Sequence, residues 1–252
     1  MATGLQARFK MDDVTEIGLD ETGRGPFFGP MMGGAVCLPP ESEWTEEQRK
    51  IFLQLRDSKK IAPKKRERLA NELQACLDTC GIGVVHAHEI NERGIQWANR
   101  EVFRRALATL WDGSDGSEVR LIIDGTLALD DWKGEQELVI EGDNKYIAVA
   151  GASILAKVAH DRWIQTFAEE NPEVNERYDL TGSKGYGTAK HRDGIKRYGG
   201  HTQHRDLYIQ RWLPGAIAMP KPRAKTSAQK QQGSACLIRF DVNKESAPRS
   251  DS

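Results

Sequence analysis

The chain has 252 residues, of which 38% are hydrophobic and 29% charged, which excludes a disulfide-stapled mini-protein and suits a soluble globular protein with some polar excess. Lys and Arg total 36 against 37 Asp and Glu, so a net charge of -1 neither favours nor excludes a nucleic-acid partner, and only local clusters can speak to it. No apolar run approaches the roughly 18 residues that span a bilayer, and the opening MATGLQARFKMDD lacks an apolar leader core, so a cytoplasmic protein with no membrane contact is expected.

Residues 14–39 read as two strands around a glycine-rich turn, with Gly33 and Gly34 marking a close backbone approach on the second strand. A short amphipathic helix is expected over 45–56. A second helix, over about 63–79, opens on Pro63 and carries Leu69, Leu73 and Leu77 at helical spacing. GIGVVHAH is a predicted strand, 89–111 a helix, and VRLIIDG and ELVIEGD two strands that each end in an acid. A long helix is expected over 147–170, where Ala148, Ala150, Gly151 and Ala152 permit tight packing. The segment 171–188 reads as a long polar loop, and 189–198 and 205–212 as helices. From 214 onward seven cations face three acids among Pro, Ser and Gln, so a flexible basic tail over 214–252 is expected behind a single domain over 1–213. Cys76 and Cys80 with His86 and His88 match no zinc-finger spacing, and the four cysteines are expected to be reduced thiols.

The element order predicts an α/β domain with a mixed sheet, whose ligands gather at the carboxyl ends of strands. Asp20, Glu21, Asp124 and Asp143 all fall at predicted strand ends. Taken singly, each is explained as a turn or cap residue. Brought together, such carboxylates repel and persist with a cation between them, and hard oxygen donors select Mg2+ or Mn2+ over zinc. Two such ions about 4 Å apart suit in-line attack on a phosphodiester. Neighbouring strand residues point to opposite faces, so Asp20 and Glu21 can share one face only if the chain bends there.

Gly23-Arg24-Gly25-Pro26 follows the acidic pair; its amides can approach a sugar hydroxyl or phosphate, or simply form a tight turn. It is not a G-x-G-x-x-G motif, because Phe28 occupies the third place. Lys59, Lys60, Lys64, Lys65 and Arg66 crowd the start of the second helix, where the dipole disfavours cations, so phosphate contact competes with a solvated helix start. Tyr186, between two glycines, either stacks on a sugar or base or anchors its loop to the core. The pair His201 and His204, with Arg205 beside it, is expected to serve in capping or phosphate contact.

These segments together resemble type 2 ribonuclease H, the ribonuclease HII family. IGLDETGRGPFFGP (17–30), DSKKIAPKKRERLA (57–70), IIDG (122–125), GDNKYIAVAGASILAKVAHDR (142–162), KGYGTAKH (184–191) and HTQHR (201–205) occur in the family's order over about three quarters of the chain. The resemblance implies an RNase H-like fold, a five-stranded mixed sheet flanked by helices with a small C-terminal helical part. It implies a metal-dependent endonuclease that hydrolyses RNA in RNA–DNA hybrids. It also implies incision on the 5′ side of single ribonucleotides in duplex DNA, leaving 3′-hydroxyl and 5′-phosphate ends.

Carried over, Asp20, Glu21, Asp124 and Asp143 are the catalytic metal-binding acids, for Mg2+ or Mn2+. Gly23, Arg24 and Gly25 sense the ribose 2′-hydroxyl, Lys59 and Lys60 contact phosphate, and Tyr186 packs on the neighbouring deoxyribose. The chain departs from the family at Thr22, where Ala is usual, and at Phe27-Phe28 and Met31-Met32, whose bulk is expected to reshape the floor of the site. Arg24 separates the chain from the type 3 enzymes. A monomer is expected. A sliding clamp is a weakly supported partner, because Cys236-Leu237-Ile238-Arg239-Phe240 lacks the defining glutamine spacing.

Overall fold

The computed structural model describes residues 4–111 and 116–215. Its sheet is built from β1 (Thr15–Thr22), β2 (Met31–Cys37), β3 (Cys80–Val85), β4 (Val119–Asp124) and β5 (Gln136–Val139). The strand order is β3-β2-β1-β4-β5. β1 and β2 form an antiparallel hairpin and β2 pairs antiparallel with β3, whereas β4 and β5 run parallel to β1, so the sheet is mixed as expected. The helices are α1 (Glu46–Phe52), α2 (Pro63–Cys76), α3 (Ala87–Arg93), α4 (Ile95–Leu107), α5 (Ile147–Glu170), α6 (Pro172–Tyr178), α7 (Leu180–Ser183), α8 (Ala189–Tyr198) and α9 (Asp206–Ile209).

Strand periodicity divides the core into two layers. Ile17 and Leu19 of β1 and Leu121 and Ile123 of β4 pack with Val102 and Phe103 of α4 on one face. On the other face α5 lies over the sheet and is buttressed by α1 and α2 through Phe52, Leu69, Leu73 and Leu155. The contact between α5 and the sheet is a backbone approach. A Cβ at Gly34 would sit 2.2 Å from the Ala152 carbonyl oxygen, and one at Gly18 would sit 2.4 Å from the Ala148 carbonyl carbon. The small residues of α5 and the glycines of β1 and β2 are therefore two halves of one fit. A third cluster, centred on the fully buried Phe28, joins the end of α5 to α6, α8 and α9.

Four expectations need correction. The helix expected over 89–111 is two helices, parted at Gly94, whose φ of 85° no interior helical residue adopts. The strand expected to end in Asp143 stops at Val139; Glu141 turns left-handed and Asp143 sits in a 3-10 turn, Gly142–Asn144. Most of the polar stretch 171–188 is helical: Pro172 starts α6, which buries Val174 and Tyr178 one turn apart, and the left-handed Asp179 separates it from α7. Phe28, Met31 and Met32 lie in the core rather than on the floor of the site. The expected basic tail over 214–252, with its Cys236–Phe240 segment, lies outside the described residues apart from Pro214 and Gly215. Among the described residues no helix is long and apolar enough to cross a membrane.

Candidate active site

The parallel pairing of β1 with β4 matches Leu19 to Ile123, so Asp20 and Asp124 follow side by side at the carboxyl ends of the two central strands. Both project toward α5. The Ser153 hydroxyl of α5 faces Asp20, and the Gly142 amide donates to Asp124 Oδ1 at 2.7 Å, which draws the turn bearing Asp143 against the end of β4. Glu21 keeps the strand's alternation. It is still paired in the ladder, opposite Gly33, and points to the α4 face, where Asn99 lies beside it. The chain bends only after Thr22, at Gly23 with its φ of 86°. Asp20 and Glu21 thus flank the end of β1 from its two faces, and the charge of Asp124 acts on both.

The electrostatics are those of crowded anions. Burial, reinforced by Glu21, Asp124 and Asp143, pushes the Asp20 carboxyl well above its usual range. Burial and then Asp124 raise Glu21. Asp143 is pushed up to about 6 by burial, by Asp57 and by Asp124, with Lys59 opposing. Asp57 is an acid that sequence reasoning passed over, because it opens a run of cations. It caps the turn Ser58–Lys60 by accepting from the Lys59 amide at 2.9 Å, and it faces Asp143. The Asn99 side chain, buried beside Glu21, opposes the rise of the Glu21 carboxyl. The acids ring the strand ends without three His, Cys, Asp or Glu side chains closing into a cage among the described residues. That openness follows from Glu21 lying across the sheet from Asp20. By charge and donor type, buried carboxylates that raise one another's pKa fit a hard divalent cation and do not fit a soft one.

Beside the acids stands the 23–25 turn. Arg24 and Gly25 are exposed, and a Cβ on Gly25 would touch Tyr186 Cε1 at 3.4 Å, so the tyrosine ring lies along the turn with 42% of its surface open. Tyr186 is therefore exposed rather than anchored in the core. The turn is held from behind. Arg205, only 1% exposed, donates to the carbonyls of Arg24 (3.2 Å), Gly29 and Pro30, and the Tyr208 hydroxyl donates to the Arg24 carbonyl at 3.0 Å. The Gly185 carbonyl accepts from the amides of Phe27 and Phe28, which joins the tyrosine loop to the turn.

A buried relay fixes the same loop. The His201 amide donates to His204 Nδ1 at 2.8 Å, so His204 carries its proton on Nε2 and gives it to His191 Nε2 at 3.0 Å. His191 then holds its proton on Nδ1, facing the Ser183 Oγ at 3.3 Å. His204 and Arg205 therefore make internal contacts, and the phosphate contact considered for them is not made. Arg66 is likewise turned inward: it donates to the carbonyls of Ser58 and Ile61, leaving Lys59 and Lys60 exposed above the turn it braces.

With this geometry in place, a family profile described as ribonuclease HII matches residues 17–213. A ribonuclease HII of Prochlorococcus marinus is 39% identical over 201 residues, covering 80% of this chain and 99% of its own length. The chain belongs to the ribonuclease HII family. It is an enzyme, a hydrolase acting on phosphodiester bonds. Membership implies an endonuclease that degrades RNA in RNA–DNA hybrids with a divalent metal. The crystal structure of ribonuclease H2 from Pyrococcus horikoshii is similar at 25% identity with a TM-score of 0.61, covering 79% of this chain and 98% of that one. An Archaeoglobus fulgidus RNase HII, solved as a complex with PCNA, shares the fold at 22% identity and a TM-score of 0.59, covering 75% of this chain and 91% of that one. The RNase H-like fold of the enzyme agrees with the expected five-stranded mixed sheet flanked by helices.

Proposed function

We propose that the enzyme hydrolyses RNA in RNA–DNA hybrids and also cuts on the 5′ side of a single ribonucleotide embedded in duplex DNA. The observation that carries the reading is the Tyr186 ring lying against Gly25, next to the end of the strand that bears Asp20 and Glu21. Asp20, Glu21, Asp124 and Asp143 are the residues that hold the metal. Two divalent ions, Mg2+ or Mn2+, when bound there lower the pKa of the attacking water and stabilise the charge on the leaving oxygen. The amides of the 23–25 turn, exposed at Arg24 and Gly25, meet a ribose 2′-hydroxyl, the group that distinguishes RNA from DNA. The Tyr186 face packs on the next sugar and disfavours a hydroxyl there. Lys59 and Lys60, on a turn braced by Arg66, contact the backbone phosphates and position the duplex without reading its sequence.

Residues 1–213 form the catalytic domain, acting as a monomer in the cytoplasm. The cation excess over 214–252 holds DNA non-specifically. A clamp partner has one support: the Archaeoglobus fulgidus relative is known in complex with PCNA.

A substrate profile tests the function. The wild-type enzyme is assayed with Mg2+ and with Mn2+ on a duplex carrying one ribonucleotide and on a continuous hybrid. Cutting of both, with product ends of 3′-hydroxyl and 5′-phosphate, is expected. Activity on the hybrid alone contradicts the single-ribonucleotide reading, and binding without cutting under either metal contradicts catalysis.

A further inference from the structure

Behind the site, on the second half of α5, one carboxylate joins parts of the protein that are far apart in sequence. Asp161 Oδ1 accepts from Lys157 Nζ at 2.7 Å, one helical turn away. Its other oxygen, Oδ2, accepts from Lys184 Nζ at 2.7 Å and lies 3.6 Å from Arg66 Nη1. The side chain of Asp161 is 18% exposed and that of Arg66 is 9% exposed. His160 Nδ1 stands 3.6 Å away, too far for a hydrogen bond.

The two partners on Oδ2 lead to the two substrate-contacting segments. Arg66 is the residue whose guanidinium holds the carbonyls of Ser58 (2.7 Å) and Ile61 (2.9 Å), and so shapes the turn presenting Lys59 and Lys60. Lys184 opens the loop presenting Tyr186. It is one of three non-glycine residues with positive φ among the described residues, at 50°, a conformation that persists only where the surroundings impose it. Asp161 supplies that imposition from below, while Ser183 Oγ and the Gly185 amide hold the loop from above. Burial raises the Asp161 carboxyl, yet His160, Lys157 and Lys184 together hold it well below the usual carboxylate range, so it stays an anion.

We propose that Asp161 is a positioning residue that locks the 57–60 turn and the 184–187 loop to each other across α5, and so sets the spacing between the phosphate contacts and the tyrosine platform. The proposal deepens the reading of Lys59, Lys60 and Tyr186 as substrate contacts and rests on it for its effect on specificity. A single ribonucleotide offers the enzyme one 2′-hydroxyl in one register, so both contacts must be correctly spaced at once. A continuous hybrid offers many registers and tolerates a loosened spacing.

The test compares the full-length wild type with Asp161→Asn, Lys184→Met and Arg66→Met. Hydrogen exchange read by mass spectrometry, without substrate, reports the lock itself. Asp161→Asn is expected to speed exchange about tenfold or more in both 57–62 and 183–188. Lys184→Met is expected to act only on 183–188 and Arg66→Met only on 57–62. Kinetics report the consequence: Asp161→Asn lowers kcat/KM on the single-ribonucleotide duplex about tenfold more than on the continuous hybrid, since misplacement by an ångström is felt at this scale. Exchange that changes in neither segment, or in one alone, overturns the lock. Both segments loosening with equal losses on the two substrates reduces Asp161 to a structural ion pair. A wild type that does not cut the single-ribonucleotide duplex sinks the functional reading, while the exchange pattern still decides the lock.

Discussion

At the scale of single residues, the 23–25 turn makes the sharpest demand. Gly23 has a φ of 86°, and a Cβ there would lie 2.9 Å from the Pro30 carbonyl oxygen and 3.0 Å from His160 Cδ2. Gly23→Ala therefore meets both strain and collision and shifts the backbone, at a cost of about 1–3 kcal/mol. Its expected signature is a loss of single-ribonucleotide cutting at least about tenfold greater than the loss on continuous hybrid, followed by gel assay. Equal losses on both substrates would contradict a sensing role for the turn. Much of the site was legible at this scale because acids at the ends of apolar strands have few structural uses in common. Asp57 was not legible: in a string of cations it reads as a helix-entry cap, and it is one, yet its carboxylate also faces Asp143. Arg66 and Arg205 were misjudged for a related reason. Sequence shows charge but not burial, and both guanidiniums turn inward to satisfy backbone carbonyls.

At the scale of elements, the fit between α5 and the sheet and the histidine relay each give a prediction. Gly34→Val places a branched side chain where even a Cβ is 2.2 Å from the Ala152 carbonyl oxygen. Overpacking of this kind costs about 1–3 kcal/mol and at times more, and urea denaturation should show it as a lower midpoint. Because Asp20 and Ser153 face each other across the same interface, metal-dependent activity should fall with it.

The relay predicts acid sensitivity. Burial pushes His191 down to about 4 and His204 down to about 3, the latter with help from His191, so both are neutral in the fold. A depressed folded pKa gives stability that is present above the ordinary value of 6.5 and lost as pH falls toward the folded value. Each histidine contributes a slope of about 1.4 kcal/mol per pH unit between those limits. The crowded acids titrate in the opposite sense, so the measurement is a difference: unfolding free energy at pH 7, 6 and 5 for wild type and for His191→Gln/His204→Gln. The wild type should lose more on acidification, and parallel losses would contradict the neutral relay. Sequence periodicity found the long elements and failed on the short ones. α6 and α7 are polar on most of their surface, so only Val174, Tyr178 and Leu180 betray them, too few residues to outvote the polar neighbours.

At the scale of the whole molecule, the chain is a three-layered α/β domain whose second helical cluster grips the segments around the site. The helices around Phe28 carry His191 and Tyr208, and the segment between α8 and α9 carries His204 and Arg205; together they fix the 23–25 turn and the Tyr186 loop. The family match ends at Leu213, where the composition turns basic. Removing residues 214–252 should raise KM at moderate salt and leave kcat nearly intact, with the difference vanishing as salt rises, because phosphate contacts release counterions. An unchanged KM at low and moderate salt would contradict an electrostatic role.

Whether Asp20, Glu21 and Asp124 at the ends of β1 and β4, with Asp143 in the turn after β5, hold the catalytic metal decides the function. Mn2+ binding by calorimetry and single-ribonucleotide cleavage, measured on the same preparations of wild type and Asp124→Asn, test this most directly. The variant should keep its fold by circular dichroism, bind Mn2+ at least about tenfold more weakly and cut at least about a thousandfold more slowly. Wild-type binding and cleavage in Asp124→Asn would contradict it.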